Sequence, residues 1–259
     1  MLAREVWRSE ESAFVAGATW APVGGAYAIV HPQVPEVWDA SFVGRVPPFA
    51  DPRRLLAGAR QHLANHGCGH VKILLDNPAT FATVGLGLKR RGMFRRVYTT
   101  LVTQSIPPEQ PTKLGRVRVE PVSSPVDRKI RSSIREAVRR QSAWYAHGVG
   151  DALDTWEDIQ EATLDMTWLV AYLDDEPAGA AGLLMTDNGA SLQSLSTVPT
   201  LRRRGVASAL IREVVKRGLQ RGAPFVCLLT DVNDSPHRLY KKLGFRDVAR
   251  VHEYIQAIC

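Results

Sequence analysis

The sequence predicts an α/β fold in which a mixed central sheet is flanked by helices. In the second half of the chain, an apolar strand, a glycine turn, an amphipathic helix, another apolar strand and a short helix follow one another as a βαβα unit. Predicted hairpins precede this unit, so antiparallel strands join the same sheet. The first half shows the same order of elements in a less regular form, which predicts an internal repeat, with an unrelated α/β domain as the alternative.

The first half contains two predicted helices separated by a strand. Residues 53–65 have the apolar spacing of a helix, which Gly67 ends. Residues 71–75 form an apolar run of strand length. Residues 79–91 then have a helical pattern that Gly92 ends. Each predicted helix is therefore bounded by a glycine.

The second half opens its sheet with hairpins. Residues 168–173 and 178–185 are strand-like runs joined by a turn at 174–177, and a second turn falls at 188–189. These strands lead into the βαβα unit.

The first strand and helix of that unit have clear boundaries. The strand covers residues 191–198, and Pro199 ends it because proline cannot donate to a sheet. The helix starts after Gly205 and stops at Gly222. Its apolar face is formed by Val206, Leu210 and Val214.

The second strand and helix close the unit. Residues 225–230 are strand-like, and Pro236 occupies the first position of a short helix that Gly244 ends. Leu239 and Leu243 lie four residues apart and face the core.

The turn at 202–207, with sequence Arg-Arg-Arg-Gly-Val-Ala, is the most informative stretch of the chain. Its position before a helix leaves backbone N–H groups unpaired at the positive end of the helix dipole, where a diphosphate binds well. Gly205 permits close approach, and the arginines add cationic donors. An ordinary strand-to-helix turn with exposed arginines is the alternative. The first half has the proline-rich stretch 46–52 instead, and Leu88 stands where the second half has Tyr240.

Composition excludes several classes of protein. With 259 residues, 45% of them apolar, the chain can form one large domain or two small ones. The net charge of +7 suits an anionic ligand, but the short basic runs lack the interleaved aromatics that nucleic-acid binding uses. The sequence has no run of 18 apolar residues, as a transmembrane helix would need, and its N-terminus lacks the apolar core of a signal peptide. It has three cysteines, an odd number. We therefore expect a cytoplasmic protein with no membrane partner and no disulfide framework.

One cluster of residues has the composition of a metal site. His62 and His66 lie four residues apart, a metal-ligand spacing on a helix, and Cys68 and His70 follow. We expect Gly67 to end that helix, so that His70 does not lie beside His62 and His66. We therefore predict no metal site.

Three motifs resemble the GNAT superfamily of acyl-CoA-dependent N-acyltransferases. They are the strand ending at Pro199, the R-x-x-G-x-A turn at 202–207, and the signature that runs from Asn233 to Tyr240-x-x-Leu243-Gly244-Phe245. The resemblance covers about residues 115–257. It implies a catalytic GNAT domain at 116–259, a linker at 108–115 and a smaller, degenerate GNAT-like domain at 1–107, which together form a tandem protein.

The resemblance also implies acetyl-CoA as the cosubstrate and names the residues that hold it. Backbone N–H groups from Arg203 to Ser208 would bind the pyrophosphate, and the strand at 196–198, near a bulge where it splays from its neighbour, would pair with pantetheine. The implied cofactor-binding residues are Ser196, Thr197, Val198, Arg203, Arg204, Gly205, Val206, Ala207, Ser208 and Asn233. Asn233 could instead cap the following helix. Tyr240 is the implied catalytic acid, since a phenol stays protonated at neutral pH, although a packing tyrosine is the alternative.

The general base is where this chain departs from many relatives, which place a glutamate on the central strand. The strand offers only polar neutral residues, namely Ser191, Gln193, Ser194 and Ser196. A water chain or a remote carboxylate would have to accept the proton, with Asp187 and Asp231 as candidates, unless the amine binds neutral.

The acceptor pocket is expected after Ser124–Pro125, on a helix followed by the segment 141–148 with Trp144 and Tyr145. The inward positions of the helix are predicted to be Val126, Ile130, Ile134 and Val138. An acidic stretch follows, containing Asp151, Asp154, Glu157, Asp158, Glu161 and Asp165. Either the six carboxylates attract a cationic amine, or Asp154, Asp158, Glu161 and Asp165 form the solvated face of a helix.

The expected function is that of a bacterial N-acetyltransferase that moves an acetyl group from acetyl-CoA to a primary amine of a small molecule or peptide, by direct transfer in a ternary complex. Two alternatives stay open. The missing strand carboxylate would fit a non-catalytic acyl-CoA-binding regulatory module, and the positive charge would fit an acetyltransferase acting on ribosomal protein or tRNA. Either a monomer or a homodimer is compatible with the sequence.

Overall fold

The structure is a computed structural model that describes residues 2–109, 115–141 and 149–258, with only the backbone at position 235. The helices are α1 (Leu2–Val15), α2 (Pro52–Asn65), α3 (Pro78–Thr80), α4 (Leu86–Lys89), α5 (Pro125–Arg139), α6 (Gly150–Thr163), α7 (Val206–Gln220) and α8 (Ser235–Lys242). The strands are β1 (Thr19–Val23), β2 (Ala26–Val30), β3 (Phe42–Gly44), β4 (His70–Leu75), β5 (Phe94–Thr103), β6 (Val117–Pro121), β7 (Asp165–Leu173), β8 (Glu176–Met185), β9 (Ala190–Thr197), β10 (Val226–Asp231) and β11 (Arg246–Ala257). A π-helical turn, Phe81–Gly85, joins α3 to α4.

The eleven strands of the described part form one mixed sheet in the order β1-β2-β3-β4-β11-β5-β10-β9-β8-β7-β6. The two strands that end the halves, β5 and β11, lie at its centre and pair antiparallel with each other. β11 also pairs with β4 of the first half, and β5 pairs with β10 of the second half. Each half therefore completes its sheet with a strand from the other half.

The two halves repeat the same order of elements. In the first half β3, α2, β4, the α3–α4 segment and β5 follow one another, as β9, α7, β10, α8 and β11 do in the second. The glycines that end these helices also match, because Gly67, Gly92, Gly222 and Gly244 all have φ between +80° and +89°. This confirms the predicted α/β class and the degenerate first copy.

Helices cover both faces of the sheet. Along β10, Val226 and Leu228 belong to the core that α7 covers, whereas Cys227 between them packs with Val6 of α1. Because side chains alternate along a strand, α1 and α7 lie on opposite faces. α5 shares the α1 face, since its Ile134 packs on the alternate residues of β7 and β8.

Four local features differ from the predictions. α1 has no predicted counterpart, and the predicted helix at 79–91 is interrupted by the π-helical turn and ends at Lys89. Asp165 lies on β7 because α6 stops at Thr163. Val126, predicted to face inward, is 65% exposed in the first turn of α5.

Within the described ranges, no helix combines the length and the apolar character that crossing a bilayer requires.

Candidate active site

An opening in the sheet separates β9 from β10. The two strands pair in parallel only at Ala190–Val226 and Ser191–Cys227. Beyond that point β9 stays on β8 as far as Thr197, while β10 stays on β5 as far as Asp231. The strands therefore diverge after one short ladder, and we call the gap the β9/β10 opening.

A bulge in β9 lies beside this opening. The register between β8 and β9 shifts between Ala180 and Gly182, and Ser194 has φ of +53°. Arg135 of α5 donates to the Ser194 carbonyl oxygen at 3.2 Å. The splayed strand and the bulge expected from the resemblance are both present.

The end of β9 directs one residue toward the opening. The Val198 N–H donates to the Ala178 oxygen of β8 at 2.9 Å, so it is already satisfied. Since backbone groups alternate between the two edges of a strand, the backbone of Thr197 faces the opposite side, where its oxygen accepts from Arg202 Nε at 3.3 Å. Among residues 196–198, Thr197 is therefore the one placed to pair with a ligand in the opening.

The predicted anion-binding turn lies between β9 and α7. Gly205 occupies the N-cap position of α7 with φ of +88° and has no side chain to cap the helix. The first-turn N–H groups of Val206 to Ser208 are among those that an α-helix leaves without intrahelical partners. The turn therefore presents backbone donors and a positive helix end together.

Close packing brings this helix end to the sheet. A Cβ at Gly179 of β8 would lie 2.8 Å from the Ser196 oxygen and 2.8 Å from Val206 Cγ1. Only glycine fits there without displacing the start of α7 from the end of β9. The anion turn and the opening are thus parts of one site.

The equivalent helix of the first half is closed to anions. Asp51 caps α2, and its Oδ1 accepts from the Arg54 N–H at 2.8 Å. A carboxylate of the chain therefore already occupies the place that Gly205 leaves open in the second half.

Tyr240 lies on α8 with only 7% of its surface exposed, and its ring meets Phe245 edge-on at 5.9 Å. Burial, followed by the negative charges of Asp234 and Glu10, raises the pKa of the Tyr240 phenol well above its usual value. The phenol therefore stays protonated at physiological pH.

Asp247 of β11 anchors α8. Its carboxylate accepts from His237 Nε2 at 3.0 Å and from Lys241 Nζ at 2.8 Å, and Thr99 of β5 donates to it at 3.1 Å. Partial burial acts to raise the Asp247 pKa, but these three donors together hold it well below its usual value. The carboxylate thus fixes the helix that carries Tyr240 against the central strands.

Asn233 and the two predicted base candidates lie outside the two residue pairs that join β9 to β10. Asn233 is exposed at the end of β10, and its N–H donates to Asp231 Oδ1 at 2.8 Å. Asp187 is exposed in the turn between β8 and β9. Asp231 is the last residue of β10, beyond the point where that strand leaves β9.

A carboxylate that sequence reasoning missed occupies that position. Glu10 of α1 is 2% exposed, and its Oε1 accepts from Ser191 Oγ at 2.6 Å and from Cys227 Sγ at 3.1 Å. Gln193 Nε2 lies 3.4 Å from Oε2 and donates to Ser191 Oγ at 2.7 Å. We call Glu10, Ser191, Gln193 and Cys227 the Glu10 cluster. Burial raises the pKa of Glu10 to about 7, against the lowering effect of its three hydrogen bonds.

A sequence signal for Glu10 does exist. Val6, Glu10 and Ala13 are spaced as one face of a helix, and all three are buried in α1. A carboxylate within an apolar stripe indicates a buried charged group, because such groups are rarely buried without a partner.

The acidic stretch is largely paired with arginines of α5. Arg139 donates to Asp154 at 2.6 Å and to Glu157 at 2.5 Å, and Arg135 also pairs with Glu157. Arg131 pairs with Glu161, and its guanidinium lies over the Trp168 ring at 4.4 Å. Glu157 and Glu161 are therefore paired with arginines of the chain itself.

The rest of the predicted acceptor region is described only in part. Asp151 and Asp158 are exposed, and Asp165 pairs with Arg221 at 2.5 Å. Trp144 and Tyr145 lie outside the described residues.

The candidate metal ligands point in different directions. The His62 and His66 rings lie 4.5 Å apart, but the buried His70 bonds the Ser41 oxygen at 3.0 Å and stacks on Trp38. Across the part of the chain that the structure describes, no group of three or more His, Cys, Asp or Glu side chains is placed to hold a metal ion.

Comparison with known proteins agrees with this geometry. Residues 133–245 match the Acetyltransferase (GNAT) family. A GCN5-related N-acetyltransferase from Kribbella flavida superposes with a TM-score of 0.69 at 16% identity, covering 97% of this chain and 94% of that one. A functionally unknown conserved protein from Staphylococcus epidermidis gives a TM-score of 0.69 at 16% identity, with 94% and 96% coverage.

A tandem GNAT protein from the clavulanic acid biosynthesis pathway also shares the fold. It superposes with a TM-score of 0.59 at 14% identity, covering 91% of this chain and 79% of that one. No curated protein matches the sequence. At these identities the structural matches establish the fold alone, and they cover nearly the whole chain.

Proposed function

We propose, from the premise that residues 133–245 belong to the GNAT acetyltransferase family, that this chain transfers an acetyl group from acetyl-CoA to a primary amine. The observation that carries the proposal is the β9/β10 opening beside the uncapped start of α7. A sheet gap next to an anion-binding helix end suits a ligand that combines a diphosphate with an extended amide-containing arm.

In this proposal, backbone groups of the turn and of β9 hold acetyl-CoA. Backbone N–H groups from Arg203 to Ser208 would hold the pyrophosphate, with the Arg203 and Arg204 side chains adding positive charge. The backbone of Thr197 would pair with a pantetheine amide in the manner of an added strand. Ser196, Val198 and Asn233 would then surround the pantetheine arm. Unlike Thr197, they would not pair with it through backbone groups on the edge of β9 that faces the opening.

Tyr240 would serve as the acid in this proposal. Its raised pKa keeps the phenolic proton in place, so that it can donate a hydrogen bond to the departing sulfur. α7 packs against one face of β8 and β9. The proposal therefore has the amine approach from the opposite face, which is the face of α1 and α5.

The two halves would work as one unit. We propose that the catalytic domain spans 116–259 and the degenerate domain 1–107, joined at 108–115. The strand exchange at the centre of the sheet supports the joint action of the halves, because the first half supplies β5 to the second. The described cysteines, Cys68 and Cys227, are buried and unpaired, which supports a reducing compartment such as the cytoplasm.

The test is acetyl-CoA binding measured by calorimetry, combined with release of free thiol in the presence of amines. We would use hydroxylamine, polyamines and a lysine-containing peptide as acceptors. Binding with thiol release supports the proposal. Binding without release from any amine would favour the regulatory module, and absence of binding would exclude both.

A matched pair of glycine variants tests the anion turn. Gly205 and Gly222 have nearly equal φ values of +88° and +89° at opposite ends of α7. Either one replaced by alanine carries a similar backbone penalty of about 1–2 kcal/mol. We expect Gly205→Ala to weaken acetyl-CoA binding at least tenfold, whereas Gly222→Ala leaves the affinity unchanged. Equal affinities in the two variants would remove the turn from the binding site.

A further inference from the structure

We propose that Glu10, supplied by the first half of the chain, is the general base that accepts the proton of the attacking amine at the β9/β10 opening. The inference rests on the proposed acetyltransferase function. It assigns the proton acceptor that the strands of the second half do not provide.

The position of Glu10 is set by the ladder itself. Ser191 and Cys227 are the last paired residues before β9 and β10 diverge, and both donate to the same Glu10 oxygen. The carboxylate therefore lies across the narrow end of the opening, on the face opposite α7. The proposed acceptor amine reaches the site on that face.

The two oxygens of the Glu10 carboxylate face residues that differ in exposure. Ser191 and Cys227 are fully buried, whereas Gln193, which faces Oε2, is half-buried. The second oxygen of Glu10 is therefore directed toward the most exposed member of the Glu10 cluster. A proton would travel along this side.

The groups around Glu10 are suited to a base. Its hydrogen-bond partners on β9 and β10 are neutral. The negative charge of Glu10 contributes to the raised pKa of Tyr240 on α8. Glu11, the next residue on α1, points elsewhere and pairs with Arg45 at 3.0 Å. Burial raises the pKa of Glu10 to about 7, near the pH at which a carboxylate is most effective as a base.

The proposed step conserves atoms and charge. The amine nitrogen bonds to the thioester carbonyl carbon, its proton passes to the Glu10 carboxylate, and the carbon–sulfur bond breaks. The departing sulfur takes a proton from the Tyr240 phenol. The carboxyl proton then returns to the phenolate through solvent, so that the net reaction moves one proton from nitrogen to sulfur.

The principal experiment compares Glu10→Gln with the matched control Glu11→Gln. Both variants remove one buried carboxylate from α1, and only the first belongs to the Glu10 cluster. With acetyl-CoA and hydroxylamine as probes, we expect Glu10→Gln to lose about 100-fold in kcat/KM, a typical effect for a general base, at unchanged acetyl-CoA affinity. Glu11→Gln should keep both the rate and the pH profile.

The pH profile separates a base from a structural residue. Wild-type kcat/KM should rise with pH as Glu10 loses its proton, and we call this rise, near the Glu10 pKa, the acidic limb. The acidic limb should be missing from the profile of Glu10→Gln. Because the Ser191 hydroxyl lowers the Glu10 pKa, Ser191→Ala should move the limb to higher pH. This measurement keeps the proposal testable even if Glu10→Gln fails to fold.

Each remaining outcome has a defined meaning. If Glu10→Gln keeps its rate within threefold, or if Ser191→Ala leaves the acidic limb in place, Glu10 is not the base, while the acetyltransferase proposal stands. If the wild-type chain neither binds acetyl-CoA nor releases thiol, both proposals fail.

Discussion

At the scale of single residues, Glu10 links the site to the stability of the chain. Burial raises its pKa from 4.5 to about 7, so the folded state holds this proton more tightly than the unfolded state. The contribution of Glu10 to the free energy of unfolding therefore falls as the pH rises through this interval, by about 3 kcal/mol in all.

Glu10→Gln should consequently be more stable than the wild type by about 3 kcal/mol at pH 8 and nearly equal to it at pH 4. Urea unfolding of both proteins at the two pH values measures the difference. A stability gap that does not change with pH would contradict the raised pKa.

Tyr240 gives the second prediction at this scale. Tyr240→Phe keeps the ring that meets Phe245 and removes only the phenolic proton. We expect kcat to fall about 100-fold with the acetyl-CoA dissociation constant unchanged. Tyr172→Phe, on β7, serves as the control. Equal rates in the wild type and Tyr240→Phe would remove the phenol from the mechanism.

Residues close together in sequence are the ones that sequence reasoning found. The motifs around Gly205 and Tyr240 are contiguous, so their spacing carries the signal. Glu10 contacts Ser191 across 181 positions, and no local pattern joins them. That the backbone of Thr197 faces the β9/β10 opening likewise depends on the register between β8 and β9. The sequence of β9 alone does not determine that register.

At the scale of elements, Asp247 holds α8 to the centre of the sheet. Asp247→Asn removes the charge that pairs with His237 and Lys241. The low pKa of this carboxylate means that the contact is present above the usual aspartate range and is lost as the pH falls through the folded-state value.

We expect Asp247→Asn to speed amide hydrogen exchange across α8 at pH 7, with acetyl transfer reduced because Tyr240 loses its fixed position. Asp187→Asn, in an exposed turn, is the control and should leave exchange in α8 unchanged. Protection of α8 that is identical in both variants would show that packing alone positions the helix.

The elements themselves differ in how well they could be predicted. α7 and β10 have strong apolar periods and terminal glycines, and the structure has them where the pattern indicates. α1 carries Glu10 and Glu11 on its buried side, so its pattern lacks a clean apolar face. α5 buries Arg131 and Arg139 because carboxylates of α6 neutralise them, an effect that depends on two helices together.

At the scale of the whole molecule, the exchange of β5 and β11 makes the halves interdependent. The repeat was visible in the order of elements, but the exchange arises from strand pairing between residues far apart in the chain. Val226–Asp231 pairs with Thr103–Tyr98, and His252–Ala257 pairs with Leu75–His70. Neither half can form its full set of strand hydrogen bonds alone.

This arrangement predicts a single cooperative unfolding transition. A protease site inserted in the predicted linker at 108–115 should, after cleavage, leave two fragments that elute together and melt together. Both central strands and α1 take part in the contact between the halves.

Residues 116–259 expressed alone would leave one edge of β10 without its β5 partner, and we expect that fragment to be unfolded or aggregated. Calorimetry of the cleaved protein, with size-exclusion chromatography of the fragments, makes the measurement. Two separate transitions, or a monomeric folded 116–259 fragment, would show that the second half is independent and that the Glu10 carboxylate is not needed to complete it.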